Sequence, residues 1–421
     1  MDGVESEGGS RTAHQVPDVR SDEMIGTGKS TNKDDKNNKN DITNNRRKNK
    51  SSSYLPKFGC LRTETDKKGN FDMEVDVEGE PHAPSHLVIM INGIIGSAQN
   101  WRFAAKQFLK HYPRDLVVHC SESNSSMLTF DGVDVMGKRL AEEVITVIKH
   151  HPTVQKISFV GHSLGGLVAR YAIAKLYGLD ISRVSQGNGA SQTDGLGDKC
   201  HEEKFRCKIA GLEPVNFITS ATPHLGSRGH RQVPVFCGFQ SLEKVAAQTS
   251  WFLGRTGKHL FLTDHDDGRP PLLVQMVSDD EDLKFMSALQ SFRRRIAYAN
   301  THFDHLVGWS SSSIRHRREL PKRKHLSRDD RYPHIVHVET SKATTSEQDV
   351  SLENKVDGCE DIDMEEEMLR GLSKLSWERV DVNFSGSKQR FLAHSTIQVK
   401  SYWINSDGAD VIQHMIDNFL L

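Results

Sequence analysis

Gly161-His162-Ser163-Leu164-Gly165 places a serine between two glycines, and that spacing names a chemistry. A hydroxyl lifted out of a sharp turn can attack a carbonyl carbon, provided a base takes its proton. The flanks supply the context such a turn needs, a strand before it and a helix after it. Ile157, Phe159 and Val160 are strand formers in an uncharged run, and Leu164, Leu167, Val168 and Tyr171 then recur at helical spacing. A bend this tight strains the backbone of its central residue, so the side chain projects alone. Ser163 then stands beside a helix N-terminus, where N–H groups and the helix dipole favour developing negative charge. The Leu164 N–H is the expected oxyanion donor. A glycine-rich turn with a capping serine would carry the same letters without needing both flanks.

A serine hydroxyl is nearly inert near neutrality. It needs a neutral imidazole within reach, and the imidazole needs a carboxylate to fix its tautomer. In a strand–turn–helix architecture of this kind the acid follows the serine along the chain and the histidine follows the acid. Asp304, just past a late strand, and His394, between the last strand and the closing helix, satisfy that order. With 21 histidines in the chain, position has to decide among them. His305 adjoins Asp304 too closely to face it, and His302 and His224 are the other rivals. His224 is read as a turn histidine bonding the backbone, and His414, inside the closing helix, as a surface residue. Asp264, Asp266 and Asp267 are the fallback acids. A second oxyanion donor is expected at Ile94 or Ile95, in the glycine-rich loop Asn92-Gly93-Ile94-Ile95-Gly96.

The elements that must hold these residues alternate between strand and helix. His86–Ile91 is a continuous apolar run, suited to a strand buried on both faces. An amphipathic helix follows over 100–112, then a strand over 115–120, a helix over 134–151 and the strand–turn–helix around Ser163. Further strands are expected before Ala221, at 296–299 and over 377–384, with a closing helix from about Ala409. The pattern is α/β, with a mostly parallel central sheet covered by helices on both faces. Apolar residues broken by glycine and proline over 225–290 fit a helical cap over the site, or equally extra core packing. The acidic run Asp279–Asp282 is read as a helix start and not a metal site.

Gly-His-Ser-Leu-Gly-Gly-Leu-Val-Ala-Arg-Tyr-Ala, Thr-Pro-His-Leu-Gly, Gly-Arg-Thr-Gly-Lys-His-Leu-Phe-Leu and Ala-His-Ser-Thr-Ile-Gln-Val together resemble the putative serine esterase family of lipase-like α/β-hydrolases, in particular its plant-type members. The resemblance covers about residues 82–421 apart from polar insertions. It implies hydrolysis of carboxylic esters, lipid esters among them, by a Ser-Asp-His triad carried onto Ser163, Asp304 and His394. Many lipases have His-Gly where this chain has Asn92-Gly93.

Composition bounds the rest. Hydrophobic residues make up 36% of the 421, so polar segments must dilute the core. Residues 1–70 are expected to be a disordered polar tail, 82–421 the hydrolase domain, and 181–206 and 314–372 polar insertions. A net charge of −1 gives no field for nucleic acid. The six cysteines, at 60, 120, 200, 207, 237 and 359, form no CxxC pair, which favours reduced thiols and a cytoplasmic location. Neither a signal peptide nor a transmembrane segment is expected, nor any cofactor or metal. The expected partner is a lipid ester, reached by peripheral contact with a membrane or lipid-droplet surface; the basic stretch 315–331 is a candidate for that contact or a solvated loop. The alternative reading is a catalytically silent lipid- or protein-binding module on a hydrolase scaffold.

Overall fold

The computed structural model describes residues 61–65, 71–75, 83–181, 207–227, 253–265, 268–340 and 360–421. Among the described residues nine strands form one sheet: β1 (Leu61–Thr65), β2 (Phe71–Val75), β3 (His86–Ile91), β4 (Leu116–Cys120), β5 (Lys156–His162), β6 (Glu213–Ser220), β7 (Arg294–Asn300), β8 (Ile335–Thr340) and β9 (Glu378–Val382). Their order is β1-β2-β4-β3-β5-β6-β7-β9-β8. From β4 to β9 every neighbouring pair is parallel; β1, β2 and β8 join antiparallel at the two sides. This is the strand order of the α/β-hydrolase fold, with β8 as an extra edge. All six parallel strands therefore end at one edge of the sheet, where a ligand site belongs.

The period of two in the strands divides the core. Along β3, Leu87, Ile89 and Ile91 belong to one buried cluster and Val88 and Met90 to the other. The first cluster lies under α2 (Val133–His150) and α3 (Leu164–Leu176); the second lies under α1 (Arg102–His111) and the C-terminal helix Ala409–Asp417. Trp101, Phe108, Phe159, Phe217 and Trp377 are fully buried in these layers. Burying side chains of this size is worth roughly 1.5–3 kcal/mol each, which makes the two faces the main source of stability.

Helices α4 (Gly254–Leu260), α5 (Leu272–Gln275) and α6 (Phe285–Gln290) occupy the segment read as a cap. Leu260, Leu273, Val274, Phe285 and Leu289 belong to the same buried cluster as α2 and α3, so the described part of that segment extends the core. Residues 228–252 lie outside the described residues. Asp279 accepts the N–H groups of Met286 and Ser287 in the first turn of α6, as a helix start should.

Three segments depart from the sequence reading. Residues 61–65, within the expected tail, form β1, because pairing with β2 and through it with β4 supplies backbone partners that a lone polar stretch lacks. The expected insertion 314–372 contains β8, and also a helix over Glu360–Ser373. Met368, Leu369 and Leu372 of that helix are buried against α5, an apolar stripe inside an acidic run. His414 is buried and bonds the Tyr298 hydroxyl through Nδ1 at 2.8 Å, so it is a core residue and not a surface one. The expected insertion 181–206 lies outside the described residues from 182 onward.

The buried base of the sheet carries a titration signature. His86 at the start of β3 bonds Ser158 of β5 at 2.8 Å, and Ser158 accepts two N–H groups of Asn216 of β6, which leaves its own proton for the imidazole. Burial, helped by Lys156 and Arg293, lowers the His86 pKa to about 3. Between the unfolded histidine value near 6.5 and that point, the unfolded chain binds a proton that the folded chain refuses. Stability is therefore complete above about pH 6.5 and falls on acidification, by about 1.4 kcal/mol per pH unit for this one group. Urea titrations at pH 7 and pH 5 should show that loss, and His86→Asn should lose measurably less between the two.

Candidate active site

The β5–α3 turn is built as the sequence spacing requires. Ser163 has φ 54° and ψ −128°, a left-handed backbone that a non-glycine residue holds only under constraint. Its N–H donates to Ser220 O at 2.9 Å, which ties the strained residue to the end of β6. Gly161 is there for space: a Cβ on it would stand 2.7 Å from the Gly166 backbone, so any side chain would push α3 off β5. Ser163 is only 7% exposed.

His394 and Asp304 arrive from far along the chain. His394 sits in a single helical turn, Ala393–Thr396, after β9; Asp304 sits in the loop after β7. His394 Nε2 lies 3.0 Å from Ser163 Oγ, and its Nδ1 lies 3.1 Å from Asp304 Oδ2. Asp304 also accepts Asn300 Nδ2 at 2.9 Å and the N–H groups of Leu306 and Val307 at 3.0 and 2.9 Å. Burial alone would push this carboxyl up. The His394 ring beside it, with the hydrogen bonds from His394, Asn300 and Val307, outweighs burial and holds Asp304 below the usual aspartate value. An ionised carboxylate accepts only, so the ring proton belongs on Nδ1 and Nε2 is free to accept from the serine hydroxyl.

The expected rivals lie elsewhere. His305 is exposed, and His302 bonds its neighbour Thr301 through Nδ1. His224 is fully buried and bonds the Thr219 side chain at 3.0 Å, so its partner is a side chain and not the backbone. Asp264 accepts the Leu272 N–H at the start of α5. Asp266 and Asp267 lie outside the described residues.

The oxyanion expectations divide. Leu164 is the first residue of α3, where an N–H has no acceptor within the helix. Ile95 does not fit the donor role: its N–H donates to Thr129 Oγ1 at 3.0 Å, and the side chain of this φ-positive residue points to solvent. Thr129, 34 residues on, is the competitor that spacing alone does not reveal. The loop itself is pinned by Asn92, whose Nδ2 donates to Gly93 O and Asn124 O, both at 3.1 Å. Buried Glu143 of α2 holds the segment before Asn124, accepting the Ser121 and Ser123 hydroxyls at 2.6 Å and the Glu122 N–H at 3.0 Å. Asn92 thus replaces the histidine of many lipases with a side chain that fastens the loop.

Sequence reasoning passed over His162. Its Nε2 donates to the backbone carbonyl of His394 at 2.7 Å, and the two rings lie 4.7 Å apart. Burial first, then the neighbouring His394 ring, lowers the His162 pKa to about 3, so it stays neutral and holds the His394 turn without competing for its proton. The letter between Gly161 and Ser163 carries no such signal, because its partner is 232 residues away.

Sheet order, strained serine and converging histidine define a protein of the α/β-hydrolase class. The chain belongs to the family described as "Putative serine esterase (DUF676)", whose model matches residues 81–314, more than half of the chain. It is 27% identical over 268 residues to "Putative lipase ROG1" of Saccharomyces cerevisiae, covering 62% of this chain and 33% of that protein. It is 28% identical over 239 residues to "Putative lipase C4A8.10" of Schizosaccharomyces pombe, covering 55% and 26%. The chain therefore spans about a third or less of the length of these relatives. Among solved structures, the lipase BlEst2 of Bacillus licheniformis in its propeptide form aligns with a TM-score of 0.32 and 14% identity, covering 55% of this chain and 39% of that one. Among the described residues no helix is long and apolar enough to cross a membrane, and no group of three His, Cys, Asp or Glu could hold a metal.

Gly93 tests how tightly the loop is fitted to the serine. A Cβ there would meet Ser163 Cβ at 2.8 Å and Oγ at 3.3 Å. Gly93→Ala should lower kcat/KM on an activated ester by about 10², the effect of a shift of about 1 Å at a reacting centre, with little change in circular dichroism. An unchanged kcat/KM would show that the loop does not set the serine's position.

Proposed function

We propose that this protein is a serine hydrolase of carboxylic esters, with lipid acyl esters as its substrates. One observation carries the reading: a single imidazole lies within hydrogen-bond distance of both a strained, buried serine hydroxyl and a buried aspartate. Ser163, His394 and Asp304 are the proposed catalytic residues, and Leu164 and Ile94 the proposed oxyanion donors. Residues 82–421 are the proposed catalytic domain.

In this reading Ser163 Oγ attacks the ester carbonyl carbon while its proton passes to His394 Nε2. The carbonyl electrons move to oxygen, facing the N–H groups of Leu164 and Ile94. Asp304 stays ionised throughout and stabilises the imidazolium. The tetrahedral species expels the alcohol, which takes the proton from Nε2, and an acyl-serine remains. Water then repeats the sequence with His394 as base, releasing the carboxylic acid and restoring the hydroxyl. The lipid character of the substrate is supported by family membership and by the lipase names of the relatives. The absence of a regular cysteine framework supports work in a cytosolic-type compartment.

A fluorophosphonate probe reports this chemistry directly, because it needs an activated serine. Wild type should be labelled once, and Ser163→Ala should be unlabelled with turnover lower by about 10⁶. Equal labelling of the two proteins would remove Ser163 from the mechanism.

A further inference from the structure

Among the described residues eleven large apolar side chains are exposed, and eight of them come from segments at the edge of the sheet that holds Ser163. Ile95 follows β3; Met127 and Leu128 follow β4; Phe391 and Leu392 follow β9 and directly precede the turn carrying His394. Tyr402, Trp403 and Ile404 form a short helix, Tyr402–Asn405, just after that turn. Because β3, β4 and β9 belong to the parallel set, the loops after them share one edge. Tyr402 is tied to the same edge by stacking on Phe103, in the first turn of α1, at 5.0 Å. Trp403 is 95% exposed. An indole in that state loses most of the burial free energy that a side chain of its size could contribute, so folding alone does not explain it.

Along the segment on either side of the His394 turn the charges of the chain itself have one sign, and the nearest carboxylate after it, Asp407, accepts the Ser387 hydroxyl. From Phe384 to Ile404 the chain contains Lys388, Arg390 and Lys400 and no aspartate or glutamate. All three cations are exposed, and Arg390 lies over the Phe391 ring at 4.8 Å. A Cβ at Gly386 would meet the Arg328 guanidinium, which brings the exposed end of the basic stretch to the same place. Arg315, at its start, is instead buried and paired with Asp381 at 2.8 Å, so it is not available to a surface.

We propose that the Phe391–Leu392 and Tyr402–Trp403–Ile404 face docks on a lipid surface bearing anionic headgroups, with Lys388, Arg390 and Lys400 against the phosphates, so that the Ser163 edge faces the lipid. Aromatic residues with one apolar and one polar side suit the membrane interface, and a few lysines and arginines add attraction to anionic lipid. The proposal rests on the ester-hydrolase reading for its purpose, but not for its test. A second copy of this chain is the competing occupant. It lacks the charge match, since the basic rim would face itself in a two-fold pairing.

The test uses the whole 421-residue chain carrying Ser163→Ala, so that binding is read without turnover. It is mixed with phosphatidylcholine vesicles containing or lacking about 30 mol% phosphatidylserine, which gives the surface a negative potential. The expected result is co-sedimentation with the anionic vesicles, weakened by salt, and a blue shift of tryptophan emission. Trp403→Ser with Ile404→Ser should abolish the shift and reduce partitioning at least tenfold. Lys388→Glu with Lys400→Glu should remove the dependence on phosphatidylserine. On the active background, Trp403→Ser should keep wild-type turnover of a soluble short-chain ester and lose at least tenfold on the same ester carried in vesicles. Vesicle binding unaffected by the Trp403 and Ile404 changes would overturn the proposal. So would a self-association in solution that those changes abolish, with no binding to lipid. Vesicle binding as described, with no cleavage of any ester by the wild type, would leave the docking face standing and refute the hydrolase reading alone.

Discussion

Two hydrogen bonds to one imidazole join positions 231 and 90 residues apart in the chain, Ser163 to His394 and Asp304 to His394. Neither bond can form unless β5, β7 and β9 end at the same edge of the sheet. The parallel register from β4 to β9 meets that condition, and the two buried clusters on its faces make the register specific. A slip of one residue in β9 would exchange Val380 and Val382 with Arg379 and Asp381 between the two buried faces and swing the His394 turn away from the serine.

The site is held by neutral and ionised groups in defined roles. His162 is kept neutral by burial and serves as a fixed donor to the His394 carbonyl. Asp304 is kept ionised by its partners against its own burial. Glu143 is held ionised in the same way, its pKa at about 2: burial would raise it, and bonds from His119, Ser121 and Ser123 outweigh that. Through the 121–124 segment and Asn92, Glu143 anchors the loop that packs Gly93 against the serine. The His394 turn and the Gly93 loop are therefore each fastened to a separate layer of the fold, one to β5 and the other to α2.

What could be read from the letters was whatever depends on near neighbours. The strand, turn and helix around Ser163 are local, and so are the apolar runs of β3 and the periodicity of α2. That Asp304 and His394 come together with Ser163 was expected because their order along the chain is the one this architecture brings to one edge. Apart from His224, whose partner Thr219 is five residues before it, the misses involve a distant partner. Ile95 looked like a free donor until Thr129 was placed beside it. His414 looked exposed on a helix whose neighbour Tyr298 lies 116 residues away. The stripe of Met368, Leu369 and Leu372 was masked by the acids that precede it, because composition averages over a face that only packing reveals. β1 and β8 are edge strands of ordinary polarity, recognisable only by the strands they pair with.

The central claim is that serine, histidine and aspartate act as one unit and not as three neighbours. The second-order rate constant for phosphonylation of Ser163, compared across wild type, Asp304→Asn, His394→Ala and the double variant, tests it most directly. A coupled unit predicts that Asp304→Asn slows the wild type by about 10⁴ and has no further effect once His394 is gone. If Asp304→Asn slowed both backgrounds by the same factor, the carboxylate would not be acting through that imidazole and the account would be wrong.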